Sequence, residues 1–338
     1  MSVVQTVLGP VEPEQLGHVQ MHEHLLCDLT AYLPDEGTAD EITLASYFEA
    51  RVDRRNRRDL CLDEVETAIS ELALYRASGG GTLVEATSVG LGRDPVAVQE
   101  IAEQSGVNVV MGSGYYVAAF HPPELAEMPE DAIAEEIIHD IRHGVGDTGI
   151  RAGVIGEIGL SWPPHPEEVK VLRAAAAAQA ETGAALLVHP GRHHAAPAHH
   201  LRCVIEAGGD VTRTIMSHVD RTLSDLDGLQ ELADTGCVLE FDLFGTESSY
   251  YPPDPSVDLP NDGMRVAYIK ALVAAGHGDS VVIAEDVCRK TQLTRYGGEG
   301  YAHILRRVLP LMLARGIPPH VIRQITKATP ARLLTLAD

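Results

Sequence analysis

Cysteine is scarce and unpatterned in this chain: Cys27, Cys61, Cys203, Cys237 and Cys288 are the five in 338 residues, and no two form a C-x-x-C pair. An odd, scattered set supplies no disulfide framework and fits a reducing compartment. Basic side chains are also few. Lys and Arg total 26 against 49 Asp and Glu, a net charge of −23 that repels a phosphate backbone and argues against nucleic acid as a partner. The one basic run, Arg51 to Arg58, is interleaved with Asp53 and Asn56 and reads as a solvated helix face. No stretch approaches the roughly 18 apolar residues of a membrane span, and Met1–Gln15 lacks the basic-then-apolar order of an export leader. The expectation is a cytoplasmic protein with no membrane partner.

What is present is a repeated alternation of short β-rich runs with helical segments. The runs are Gly17–His22, Thr82–Ala86, Val107–Gly112, Ala152–Ile158, Ala185–His189, Thr214–His218, Cys237–Phe241 and Ser280–Ala284. Several are nearly continuous hydrophobics, as strands covered by helices on both sides should be. Helical patterns fill the intervals, among them Leu62–Ala77, Pro166–Thr182 and Tyr301–Arg315. Eight βα units predict an α/β fold, a (β/α)8 TIM barrel in one domain spanning residues 1–338. Glycine-rich 79–81 and proline-rich Tyr250–Asn261 read as loops, because strand and helix resume on either side.

Chemistry-bearing residues collect at the ends of these runs. His22 and His24, at i and i+2, project to one side if their strand continues through them. Glu157, His189 and His218 each end a predicted strand, 32 and 29 residues apart, which matches single βα units. Asp286 follows His218 by 68 residues, two units on. That spacing places all six at the C-terminal rim, where such barrels hold their active sites. Imidazoles and carboxylates without thiolate suit divalent metal ions, most readily zinc, with manganese, cobalt or iron as alternatives.

Beside them, Tyr115 and Tyr116 follow the third strand and reach the mouth of a rim site, or else one packs while the other is solvated. Arg192 suits a carboxylate or sulfonate of the substrate, or a surface salt bridge. Asp220 and Arg221 are placed to orient His218, and Glu285 faces away from Asp286 by strand alternation. His193, His194, His199 and His200 read as a solvated loop and helix start.

At these residues the chain resembles the phosphotriesterase family of the amidohydrolase superfamily, most closely the phosphotriesterase-related and phosphotriesterase homology proteins. The likeness is colinear over nearly the whole length, through "MHEHL" at Met21–Leu25, "GSGYY" at Gly112–Tyr116, "GVIGEIG" at Gly153–Gly159, "HPGR" at His189–Arg192, "SHVDRT" at Ser217–Thr222, "FDLFGTESSYYP" at Phe241–Pro252 and "AEDVCRKTQL" at Ala284–Leu293. The resemblance implies a binuclear centre, with His22, His24 and Asp286 on the more buried metal and His189 and His218 on the more exposed one. Where the phosphotriesterases bridge their metals with a carbamylated lysine, this chain has Gly156, and Glu157 beside it takes the bridge. That requires a bulge or the strand's end to turn Glu157 inward.

The expected function is metal-dependent hydrolysis of a carboxylic ester, lactone or N-acyl amide by a metal-bridging hydroxide, with Asp286 as ligand and proton shuttle. Phosphotriesterase activity and a catalytically inactive binding barrel are the alternatives. A small-molecule substrate follows, and the resemblance adds a possible homodimer.

Overall fold

The computed structural model describes residues 3–33, 35 and 37–336. Eight parallel strands form the central sheet: β1 (His18–Glu23), β2 (Gly80–Glu85), β3 (Asn108–Ser113), β4 (Val154–Gly159), β5 (Leu186–His189), β6 (Thr214–Met216), β7 (Val238–Phe241) and β8 (Val281–Ile283). They are hydrogen-bonded in sequential order from β1 to β8. Backbone bonds from Asp286 N to the His22 carbonyl, 3.2 Å, and from His24 N to the Val287 carbonyl, 3.1 Å, join the ends of β8 and β1. The expected (β/α)8 barrel is the fold.

Helices α1 (Val65–Ala77), α2 (Pro95–Ser105), α3 (Glu130–Arg142), α4 (Pro166–Thr182), α5 (Ala196–Glu206), α6 (Leu226–Ala233) and α7 (Asp262–Ala274) surround it. An eighth, α8, runs through Ile304–Val308 and Leu309–Ala314, with shorter helical turns following it from Pro319 to Leu334. Local chemistry fixes their ends. At α2 the Asp94 side chain accepts from Ala97 N, Pro95 occupies the first turn, and Gly106 at φ +65° terminates it. Helix α1 starts at Val65 and not at Leu62, because Cys61 and Leu62 pair with Cys27 and Asp28 as a short antiparallel ribbon. The first turns of α8 are π-wound and end two residues before Pro310, whose missing N–H cannot continue an i→i−4 ladder.

Two layers of core follow from strand alternation. Val19, Met21, Val84, Val110, Val154, Leu187, Ile215, Val238 and Val282, together contributed by all eight strands, form one buried cluster inside the barrel. Their neighbours, among them Leu83, Val109, Leu186, Met216, Leu239 and Ile283, pack outward under the helices. The N-terminal ends are plugged by strands Val3–Thr6 and Gly9–Val11 with Thr335–Leu336, from which Val4 joins the interior cluster. No helix among the described residues is long and apolar enough to cross a membrane.

Candidate metal centre and active site

Above the apolar interior layer, the next inward positions toward the C-terminal rim are acids and imidazoles. On β5, inward Leu187 is followed two residues on by His189. On β7, inward Val238 leads to Glu240 and Asp242. The other positions need departures from regular strand. Inward Val19 and Met21 would leave His22 facing out, but the register against β2 shifts between Gln20 and Glu23. His22 and His24 thereby enter the interior. Glu23 instead meets Gln20 at 2.8 Å and Gln20 meets Glu285 at 3.0 Å, beneath α8.

On β4 the register against β5 shifts between Ile155 and Ile158, which turns Glu157 inward as a glutamate beside Gly156 requires. Gly156 sits at φ +109°, and a Cβ there would stand 2.5 Å from the Leu187 carbonyl oxygen. His218 and Asp286 lie past the ends of their strands with φ of 55° and 46°, left-handed conformations that cost an L residue about 1 kcal/mol or more.

The result is one cluster. Glu157 lies at its centre, with its oxygens 3.6 Å from His22 Nε2, 3.5 Å from His24 Nε2, 2.9 Å from His189 Nδ1 and 3.4 Å from His218 Nε2. Asp286 reaches His24 Nε2 at 3.4 Å. The donor atoms of His22, His24 and Asp286 lie within 4.8 Å of one another, as do those of His22, Glu157 and His218, so each trio can hold a metal ion.

Hydrogen bonds on the far side of the His22, His24 and His218 rings select the nitrogen that faces the cluster. His22 Nδ1 donates to Glu240 at 3.0 Å and His218 Nδ1 to Asp242 at 2.9 Å, leaving each Nε2 inward. The Thr87 hydroxyl donates to the Leu26 carbonyl, so His24 Nδ1, 2.8 Å from the same oxygen, is the donor and its Nε2 is free. His22 Nε2 is buried without a hydrogen-bond partner, an arrangement a ligand atom needs and a structural histidine avoids. The donor set therefore fits divalent cations. Electrostatics agree. Burial opposes charge at Glu157, yet His22 and His189 hold its carboxyl well below the usual range. Asp286 is held at about 2, against burial, by His24, His218 and His22. Carboxylates stay ionised here, ready for positive charge.

The cluster floors a cavity of about 430 Å3 whose walls include Tyr32, Arg54, Tyr116, Arg192, Arg221 and Tyr251. The Tyr116 hydroxyl accepts from Tyr32 at 3.0 Å and lies 3.3 Å from His189 Nδ1, and Arg192 reaches the same space. Tyr115 does not. Its hydroxyl is held by Glu136 of α3 at 2.9 Å, because the chain turns at Gly114 and consecutive tyrosines point apart. Asp220 and Arg221 do not orient the His218 ring either. Asp220 pairs with buried Arg265 at 2.6 Å, Arg221 lies against His189 Nε2 at 3.2 Å, and Asp242 holds His218.

Two other expectations change. Arg51 pairs with Glu299 at 3.0 Å and Arg54 lines the cavity, so the basic run is not wholly a solvated face. His200 is fully buried against the Pro190 carbonyl, and His193 stacks on Trp162, so that histidine group is partly a packing element. The Lys170 ammonium is tied to the carbonyls of Leu125 and Met128, well occupied outside the cluster. Glu240 and Asp242 were missed; two acids at i and i+2 in an otherwise apolar strand were their signal.

A phosphotriesterase family model matches residues 2–334. An N-acetyltaurine hydrolase from Salmo salar is 43% identical, covering 98% of this chain and 97% of that protein. Among solved structures, a resiniferatoxin-binding protein from Rhodobacter sphaeroides superposes with a TM-score of 0.94 at 35% identity, covering 98% of this chain and 94% of that one. A phosphotriesterase homology protein from Escherichia coli, complexed with phosphate in its active site, superposes with a TM-score of 0.77 at 27% identity, covering 95% and 99%. This hydrolase chain belongs to the phosphotriesterase family.

Proposed function

We propose that the chain is a two-metal amidohydrolase that cleaves small N-acylated amines carrying an anionic group, N-acetyltaurine being the first substrate to test. The observation that carries this reading is a metal-competent carboxylate and imidazole cluster at the floor of a cavity with arginine in its wall. The Salmo salar relative, named for N-acetyltaurine hydrolysis, supports the choice. His22, His24 and Asp286 would hold one divalent ion, His189 and His218 the other, and Glu157 would touch both, with zinc the first ion to try. Bound there, the ions supply Lewis acidity for the acyl carbonyl and for water.

The remaining work falls to the chain. An amide departs only if its nitrogen gains a proton, and Asp286 is the candidate carrier: its side chain is 17% exposed to the cavity, against 0–5% for the other five. Tyr116, with its hydroxyl at the cavity wall, is placed to donate to the acyl oxygen. Glu240 and Asp242 fix ring orientation from beneath.

Metal-loaded protein assayed on N-acetyltaurine, N-acetyl amino acids, a δ-lactone, an aryl acetate and paraoxon tests the reading by kcat/KM. N-acetyltaurine is expected to lead and chelation to abolish turnover. A lactone or paraoxon turned over more efficiently than every amide would refute it.

A further inference from the structure

Among the described residues, three that are not glycine adopt positive φ: His218, Asp286 and Arg54. The first two belong to the metal cluster. Arg54, at φ 53°, follows the helix Tyr47–Asp53, at a position where glycine would be the unstrained choice. Backbone strain of this kind persists where the side chain's placement matters, and what Arg54 gains is access to the cavity above the cluster.

Its guanidinium lies 5.0 Å from the centre of the Tyr251 ring, and its Nε is buried without a hydrogen-bond partner. Arg192 approaches the same tyrosine from another loop, with Nε donating to the Tyr251 hydroxyl at 3.0 Å and the guanidinium 5.8 Å from the ring. Tyr251 is buried, packed with Leu243 and Leu259 as a small core of their own.

Neither guanidinium has a carboxylate within 4 Å among the described residues, whereas the cavity's other arginines are engaged. Arg289 pairs with Asp59 at 3.4 Å, Arg55 with Asp35 at 2.6 Å, and Arg221 is bound to the Gly191 carbonyl. Asp53, which also reaches the cavity, makes no ion pair with either. The field is positive enough that, although burial would raise the Tyr251 phenol, Arg221, Arg192 and Arg54 hold it at about 8. A buried guanidinium with no carboxylate partner among the described residues is costly unless an anion arrives to meet it.

We propose that Arg54 and Arg192, braced by Tyr251, receive the sulfonate or carboxylate at the amine end of the substrate and thereby set selectivity on the leaving-group side. This rests on the reading above that the substrate is an N-acylated amine bearing an anion. A planar guanidinium offers paired donors to such oxygens, and losing one partner of a desolvated charge pair weakens binding by roughly a hundredfold.

The test compares the metal-loaded wild type with Arg54→Asn, chosen because asparagine tolerates the left-handed backbone, and with Arg192→Met. In both, the ratio of kcat/KM for N-acetyltaurine to that for p-nitrophenyl acetate should fall by about a hundredfold, mostly through KM, with metal content kept. Ethanesulfonate should inhibit wild-type ester hydrolysis competitively and each variant far more weakly. An unchanged ratio in both variants would overturn the assignment, as would undiminished ethanesulfonate inhibition. If wild-type protein hydrolyses the ester but not N-acetyltaurine, the proposed substrate fails while the ethanesulfonate arm still decides the receptor.

Discussion

Replacing Asp242 with asparagine isolates what the acid beneath His218 contributes. The carboxylate accepts the His218 backbone N–H on one oxygen at 2.8 Å and the ring Nδ1–H on the other at 2.9 Å. Asparagine brings one acceptor and one NH2 to these two donors, so in either orientation one contact becomes donor against donor. Should the NH2 face the ring, Nδ1 must surrender its proton and Nε2 must take it, which removes Nε2 as a ligand atom. The side chain is nearly isosteric and fully buried, so little else changes. A charge-assisted bond of this type contributes about 1.5–3 kcal/mol, and at about 1.4 kcal/mol per tenfold the cost is roughly ten- to a hundredfold in cation affinity. Titrating chelator-stripped protein with zinc against a chromophoric competitor measures this directly. Affinity within threefold of wild type, with the fold intact by circular dichroism, would refute the idea that Asp242 sets the tautomer of His218.

Glu157→Gln should weaken binding of both ions together, and wild-type activity should not respond to added bicarbonate, which a carbamylated lysine would require; full metal content in the variant, measured by elemental analysis, would contradict the bridge. Asp286→Asn should reduce kcat more than it raises KM, because the lost function is proton transfer, and steady-state kinetics on metal-replete protein decides it. Away from the site, burial, with a smaller contribution from Lys327, holds His18 at about 4. The unfolded chain takes up a proton near pH 6.5 that the folded chain refuses, so stability is full above that pH and declines by up to about 3 kcal/mol as pH falls toward 4. Urea unfolding across that window should show a shallower decline for His18→Phe, whose ring can keep the packing against Tyr75.

The sequence carried some parts of the site in plain view. Periodicity alone places His189, and unit spacing brings His22, His24, His218 and Asp286 to the same rim. Glu157 was legible only with the glycines around it, since one residue of shift reverses a strand's facing and a bulge must restore it. The path of the chain beyond a strand was not legible. Tyr115 and Tyr116 are adjacent and chemically identical, and the turn at Gly114 decides which enters the cavity. Arg54 was hidden for a related reason: charge interleaving describes a helix surface, but it cannot show that the helix ends on a left-handed residue that redirects the side chain. Glu240 and Asp242 lie far along the chain from His22, and only barrel closure brings them beneath it.

The bulge at Gly156 also limits which residues can stand there. Gly156→Lys would place a Cβ 2.5 Å from the Leu187 carbonyl, at a φ of +109° that side chains rarely adopt. Flattening β4 to admit that lysine would swing Glu157 out of the barrel, and Gly112, packed directly against the Gly156 carbonyl, shows how closely the neighbouring strand has fitted itself to the kink. Gly156→Lys alone would therefore disturb the inward placement of Glu157 before the strand could seat the new side chain. Residues 156 and 157 thus behave as one unit of the backbone, and exchanging either alone should cost the cluster its central carboxylate.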